Sequence, residues 1–227
     1  MTLNDSPTDT SRLREHTLAT GVTVLDTEEL QGIPKGSTIA VLGDPRSTAE
    51  LLLTHLVHTD RPTHYVSTVR PSRHVRDSLA AVGTLNDDVF NIEDAFSASE
   101  SKTSVLRKHA GRLEEDHNLI VDTISNLGGT NEDEYLQAIR NVYQSVSDNN
   151  ALAYLYFAKN DLDHFTKEEL EVLHMCDGIF QVTLEETGDN IDTKLRILKL
   201  RDTTPPREPI KLNVGTKLTV DTTRDIA

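Results

Sequence analysis

Ile33-Pro34-Lys35-Gly36-Ser37-Thr38-Ile39-Ala40-Val41-Leu42-Gly43-Asp44-Pro45-Arg46-Ser47-Thr48-Ala49-Glu50, followed by Leu51-Leu52-Leu53, leads from a β-rich apolar run through a glycine into a helical pattern. This is the setting of the phosphate-binding loop G-x-x-x-x-G-K-[ST], which joins a strand to a helix. With its first glycine on Gly43, its last three positions fall on Thr48, Ala49 and Glu50. The lysine that neutralises the β/γ phosphate oxygens is therefore missing, and a glutamate stands where a hydroxyl would hold magnesium. A carboxylate there repels a polyphosphate unless a metal ion separates them. The stretch predicts a nucleotide-binding fold that has lost nucleotide hydrolysis.

Around this loop, short β-rich runs alternate with helical patterns. Thr38–Leu42, His64–Thr68, Leu119–Asp122, Ala151–Phe157 and Ile179–Leu184 read as strands. Thr48–His58, Ser72–Val82, Val105–Asp116, Glu132–Val146 and Thr166–His174 carry apolar residues at helical spacing. Such alternation implies an α/β fold, a mostly parallel sheet covered on both faces. In the last third, Gly178–Leu184, Thr193–Leu200 and Ile210–Val214 follow one another through short turns, which predicts an antiparallel extension at the sheet edge. The expected organisation is a polar, flexible N-terminus over 1–14, one domain over 15–220 and a tail over 221–227. Gly128-Gly129 and Pro205-Pro206 punctuate turns within that domain.

Acidic residues number 37 against 23 basic ones, a net charge of −14, and the acid is spread along the chain. Such a surface disfavours nucleic acid and anionic lipid as partners. Distributed acidity with few lysines, one cysteine and no tryptophan resembles the cytoplasmic proteins of extreme halophiles, although an ordinary acidic cytosolic protein has a similar balance. Cys176 has no internal disulfide partner, no apolar run reaches membrane-span length, and 1–14 lacks a signal-peptide core. A cytoplasmic location with no membrane span is expected.

Several further segments resemble the KaiC/RadA-like branch of the RecA superfamily of P-loop ATPases, over about Thr20 to Val214. Thr20-Gly21-Val22-Thr23-Val24-Leu25-Asp26 resembles the family's opening T-G-x-x-x-L-D, and Gly32-Ile33-Pro34-Lys35-Gly36-Ser37 its G-x-P-x-G-S turn. Tyr65-Val66-Ser67-Thr68 with Pro71 resembles Y-x-S-x-E-E-P. Leu119-Ile120-Val121-Asp122 resembles Walker B, and Leu198-Lys199-Leu200-Arg201 the late K-x-R strand. The resemblance implies a RecA-like three-layer αβα fold.

The departures fall on catalytic positions. The family's paired acids are Val69 and Arg70 here, and neither accepts a proton near neutral pH. Asp122 matches the aspartate that orients magnesium; equally, a strand-end aspartate caps the turn after it. Lys199 and Arg201 match residues that reach a neighbouring subunit's triphosphate, and as i and i+2 on a strand they would share a face. They read either as an inter-subunit pair meeting acids such as Glu50 or as solvated edge-strand cations. Arg46 could partly replace the lost lysine or pair with Asp44 or Glu50.

Gly43, Asp44, Pro45, Arg46, Ser47 and Thr48 are thus a degenerate phosphate loop. With Asp122 it would hold ATP or ADP and magnesium weakly, or no cofactor. His55, His58 and His64 lack the ligand count of a zinc site, and Glu185–Asp192 reads as a hairpin tip. Two functions stay open: a non-catalytic regulatory or signalling module that binds a protein partner, an active paralogue or a second copy of itself, and a weak ATPase switch with a composite inter-subunit site. A single-strand recombinase is disfavoured, because Asn126–Glu134 is acidic and lacks stacking aromatics.

Overall fold

The structure is a computed structural model, and it describes residues 16–23, 25–26, 30–127, 131–187, 190–214 and 218–220. The expected N-terminus and tail, Val24 of the opening motif and the Gly128-Gly129 pair lie outside the described residues. Two short strands, β1 (Thr17–Leu18) and β2 (Ile33–Pro34), pair with each other before the main sheet. The sheet contains β3 (Thr38–Gly43), β4 (Thr63–Ser67), β5 (Phe90–Asp94), β6 (Asn118–Asp122), β7 (Leu152–Ala158), β8 (Gly178–Thr187), β9 (Asn190–Leu200), β10 (Ile210–Val214) and β11 (Leu218–Val220). Its order is β11-β10-β9-β8-β3-β7-β6-β4-β5. From β8 to β5 every pairing is parallel, while β9, β10 and β11 add on antiparallel. The mostly parallel sheet with an antiparallel C-terminal extension is thus the architecture the alternation predicts.

Among the described residues five α-helices complete three layers: α1 (Ala49–His55), α2 (Ser72–Val82), α3 (Lys102–Ala110), α4 (Glu132–Asp148) and α5 (Lys167–Met175). Parallel central strands are buried on both faces, so their side chains alternate between two cores. In β3, Ile39 and Val41 pack with α1 and α2 residues such as Leu52, Leu53, Val75 and Leu79. Ala40 and Leu42 pack instead with Leu106, Leu136, Ile139 and Val172 of α3, α4 and α5. A capping box starts α5, with Thr166 Oγ1 accepting from the Glu169 N–H and Glu169 accepting from the Thr166 N–H.

Two of the local differences from the expected elements have a clear physical reason. The helix expected at Val105–Asp116 lies at Lys102–Ala110, because Ser101 accepts from the Ser104 N–H to start it early and Gly111 follows its last residue. The spacing of Leu113 misleads, since that side chain is buried in the turn after the helix. The strand Phe90–Asp94 is not evident in the pattern. It is an edge strand whose Asn, Glu and Asp are not fully buried, so the apolar signal is weak.

Because β3, β4 and β6 are parallel, their C-terminal ends emerge together: Gly43, Ser67 and Asp122. Ligands of open α/β sheets bind at such strand ends.

Candidate functional site: a phosphate loop closed by its own side chains

The β4–β6 register pairs Ser67 with Asp122. Beyond Ser67 the chain folds back, with Ser67 Oγ donating to Arg70 O at 2.8 Å and accepting from Arg70 N at 3.2 Å. This turn brings the Arg70 guanidinium onto Asp122, Nη2 donating to Oδ2 at 2.7 Å. Tyr65 donates its hydroxyl to the same oxygen at 2.9 Å. Arg70 Nη1 also lies 3.3 Å from Glu50 Oε2, in the first turn of α1. One guanidinium therefore joins the residue at the magnesium-hydroxyl position to the residue at the Walker B position.

Burial lowers the proton affinity of Arg70, but the Asp122 carboxylate and, less strongly, Glu50 outweigh it and hold the pKa above the usual arginine value. Burial, then Asp122, pushes the Tyr65 phenol well above its ordinary range. The Tyr156 phenol also rises, from burial first and then from Glu50 and Asp122. The site is a fixed arrangement of one cation, two carboxylates and neutral phenols.

The loop itself is satisfied in the same way. Asp44 accepts from the Arg46 backbone N–H at 2.7 Å, Nε at 3.0 Å and Nη2 at 2.7 Å. The Arg46 side chain, then its N–H, draws the Asp44 carboxyl down to about 2. Ser47 N–H donates to Asp44 O at 2.7 Å, and Ala49 N–H to Ser47 Oγ at 3.2 Å. Three loop amides, those of Arg46, Ser47 and Ala49, are thus used inside the loop, the first two by Asp44. Pro45 sits between Asp44 and Arg46, and Thr48 Oγ1 lies 3.1 Å from Thr193 Oγ1 on β9, tying the loop to the extension.

Gly43 has a packing reason to be glycine. A Cβ there would lie 2.4 Å from Ala49 Cβ and 3.3 Å from Tyr156 Cε2. A lysine does follow the neighbouring strand, since Lys159 N–H donates to Gly43 O at 3.0 Å. Its ammonium is engaged elsewhere, 2.5 Å from Glu169 Oε2 and 4.7 Å from the centre of the Phe165 ring. The residues present do not fit a magnesium nucleotide: the position of the metal's hydroxyl ligand is a carboxylate, and the Walker B oxygen Oδ2 is taken by an arginine and a tyrosine.

A model of the family of unknown function DUF7125 matches residues 17–227, most of the chain. The chain belongs to that family. No curated protein matches this DUF7125 member. Among solved structures it is similar to the KaiC-like protein PH0186 from the hyperthermophilic archaeon Pyrococcus horikoshii OT3, with a TM-score of 0.74 and 14% identity over 90% of this chain and 98% of that one. The likeness establishes a RecA/KaiC-like fold for this DUF7125 chain.

The remaining expected residues lie apart from the loop. Lys199 donates Nζ to Cys176 O at 2.5 Å, the carbonyl just past α5, while Arg201 lies 2.6 Å from Asp177 Oδ1 and donates to the Tyr143 hydroxyl at 3.2 Å. The expected shared face does not reach Arg201, because β9 ends at Leu200. The extra residue Leu198, where the pairing shifts between Ile179↔Lys199 and Phe180↔Ile197, precedes both cations. Glu185 pairs with Asp192 and Thr187 with Asn190 in the β8–β9 hairpin, while the expected tip at 188–189 lies outside the described residues.

His64 does not join His55 and His58. Its Nδ1 faces His109 Nδ1 at 3.4 Å, and His117 lies beside it with ring centres 5.6 Å apart. Among the described residues no group of three or more His, Cys, Asp or Glu is arranged to hold a metal, and no helix is long and apolar enough to cross a membrane. Sequence reasoning recorded Arg70 as a lost acid and missed what it gains. The signal was its place in Y-x-S-x-E-E-P, three residues past β4, which neighbours β6.

Proposed function

We propose that this chain is a non-catalytic protein with a RecA/KaiC-like fold that acts as a regulatory or signalling module by binding another protein. The observation that carries the reading is the guanidinium of Arg70 between Glu50 and Asp122. In a working ATPase of this fold, magnesium and phosphate would link those two positions. Here side chains balance the charge instead, and the scaffold persists without the groups that only chemistry needs. Fold alone never assigns an activity, so the argument rests on the site. The acidic, lysine-poor composition fits a cytoplasm rich in salt, and we place the protein there.

The direct test is phosphate release from ATP with magnesium by the purified chain, beside the Asp122→Asn variant. The reading expects no release above background from either. Turnover by the natural chain that Asp122→Asn abolishes would establish the weak ATPase switch in its place.

A further inference from the structure

We propose that the overhanging face of the β8–β9 hairpin, beside the closed loop, docks a segment of a partner protein bearing large apolar side chains flanked by lysine or arginine. The proposal rests on the non-catalytic binding role above and names its surface. The last β3–β8 pair is Gly43↔Val182, yet β8 and β9 stay paired out to Thr187↔Asn190. The hairpin therefore projects past the end of β3, alongside the loop.

Leu184 pairs with Thr193 and Ile191 with Glu186, so Leu184 and Ile191 are diagonal neighbours on one face. That face is the one on which Val182 and Leu195 are buried further down. At its outer end the cover stops: Leu184 is 40% and Ile191 68% exposed. With Leu162, Thr183, Asp44 and Arg46 they border a groove of about 350 Å³. Large apolar side chains aligned beside a groove mark an interaction surface more often than scattered ones do.

Charge selects the occupant. Among the described residues the nearby cations are already held by carboxylates: Arg46 by Asp44 and, on the other face of the hairpin, Lys194 by Glu185 at 2.6 Å and Lys211 by Asp192 at 3.1 Å. Exposed Asp161 and Asp163 flank Leu162, and of these only Asp161 has a side-chain partner, His164. Among the described residues the unbalanced charge at the rim is negative, as is the net −14 of the chain. A basic partner is steered to such a rim, whereas a second copy brings like charge against it.

The test uses two labelled peptides of about twelve residues with the same leucines, one spaced by lysines and one by glutamates, titrated by fluorescence anisotropy. The natural chain is expected to bind the lysine peptide and not the glutamate peptide. Leu184→Ser/Ile191→Ser, which keeps every charge, and Asp161→Asn/Asp163→Asn should each weaken binding at least roughly tenfold. Ile191→Ser alone serves if the first pair impairs folding, since that side chain is mostly in solvent.

Absence of lysine-peptide binding, or binding indifferent to the Leu184/Ile191 change, overturns the proposal. A natural dimer that Ile191→Ser converts to monomer in sedimentation also overturns it, by showing that the occupant is a second copy. Phosphate release reads the non-catalytic role independently, so either idea can fail without the other.

Discussion

Arg70 and Asp122 form a 2.7 Å ion pair in which the carboxylate is fully buried and the guanidinium is one-quarter exposed. They lie 52 residues apart in sequence, and only the parallel neighbours β4 and β6 bring them together. A buried charge is tolerated when it is paired and hydrogen-bonded, and Tyr65 supplies the second bond to the same oxygen. The pair thus links sequence, topology and the closed state of the loop.

Removing the cation should expose that dependence. Arg70→Met leaves Asp122 buried with Tyr65 alone and is expected to destabilise the fold by about 3 kcal/mol, read from the urea midpoint. Arg70→Met with Asp122→Asn should recover much of that loss, because no uncompensated charge remains. Equal loss in the single and double variants would show that Arg70 acts through packing alone.

Gly43→Ala should lower stability by about 1–3 kcal/mol, since α1 and Tyr156 leave no room for the methyl group. Gly43→Ala/Tyr156→Leu should be less damaging than the sum of the two changes, if the ring is part of the clash. Thermal unfolding of the four proteins closes this cycle.

Acidification should act through the histidines. Burial, then His109 and His117, lowers His64 from 6.5 to about 4, and burial also lowers His109 and His117. The unfolded chain therefore binds more protons between those pH values. Stability is retained above about 6.5 and lost as pH falls toward 4, by about 3 kcal/mol for His64 alone. Around this cluster, Glu93 favours protonation of His109, while Arg112 and Lys108 oppose it. His64→Gln should flatten the dependence of the urea midpoint on pH over this window; an unchanged slope would show that His64 does not carry it.

What the sequence made legible follows from what is local. The parallel strands are continuous apolar runs bounded by turns, so β3, β6 and β7 stand out. The edge strand Phe90–Asp94 does not, because its edge position needs few buried side chains. At the loop, the missing lysine and hydroxyl are local facts, and so is the Asp44–Arg46 pairing, two residues apart. The Arg70 bridge is not local, since it needs the β4–β6 register and the Ser67–Arg70 turn together. For Lys199 and Arg201 the limit is the end of the strand: β9 stops at Leu200, so strand parity does not carry on to Arg201.

The central claim is that this loop is filled by the chain's own charges in place of a magnesium nucleotide. Calorimetric titration with ATP and ADP plus magnesium, in molar potassium chloride, tests it on the natural chain and on Ala49→Lys/Glu50→Thr/Arg70→Glu, which restores the loop's lysine and hydroxyl and an acid in place of Arg70. The account predicts no heat of binding for the natural chain and binding by the rebuilt one. Saturable binding by the natural chain, weakened by Asp122→Asn, would contradict it.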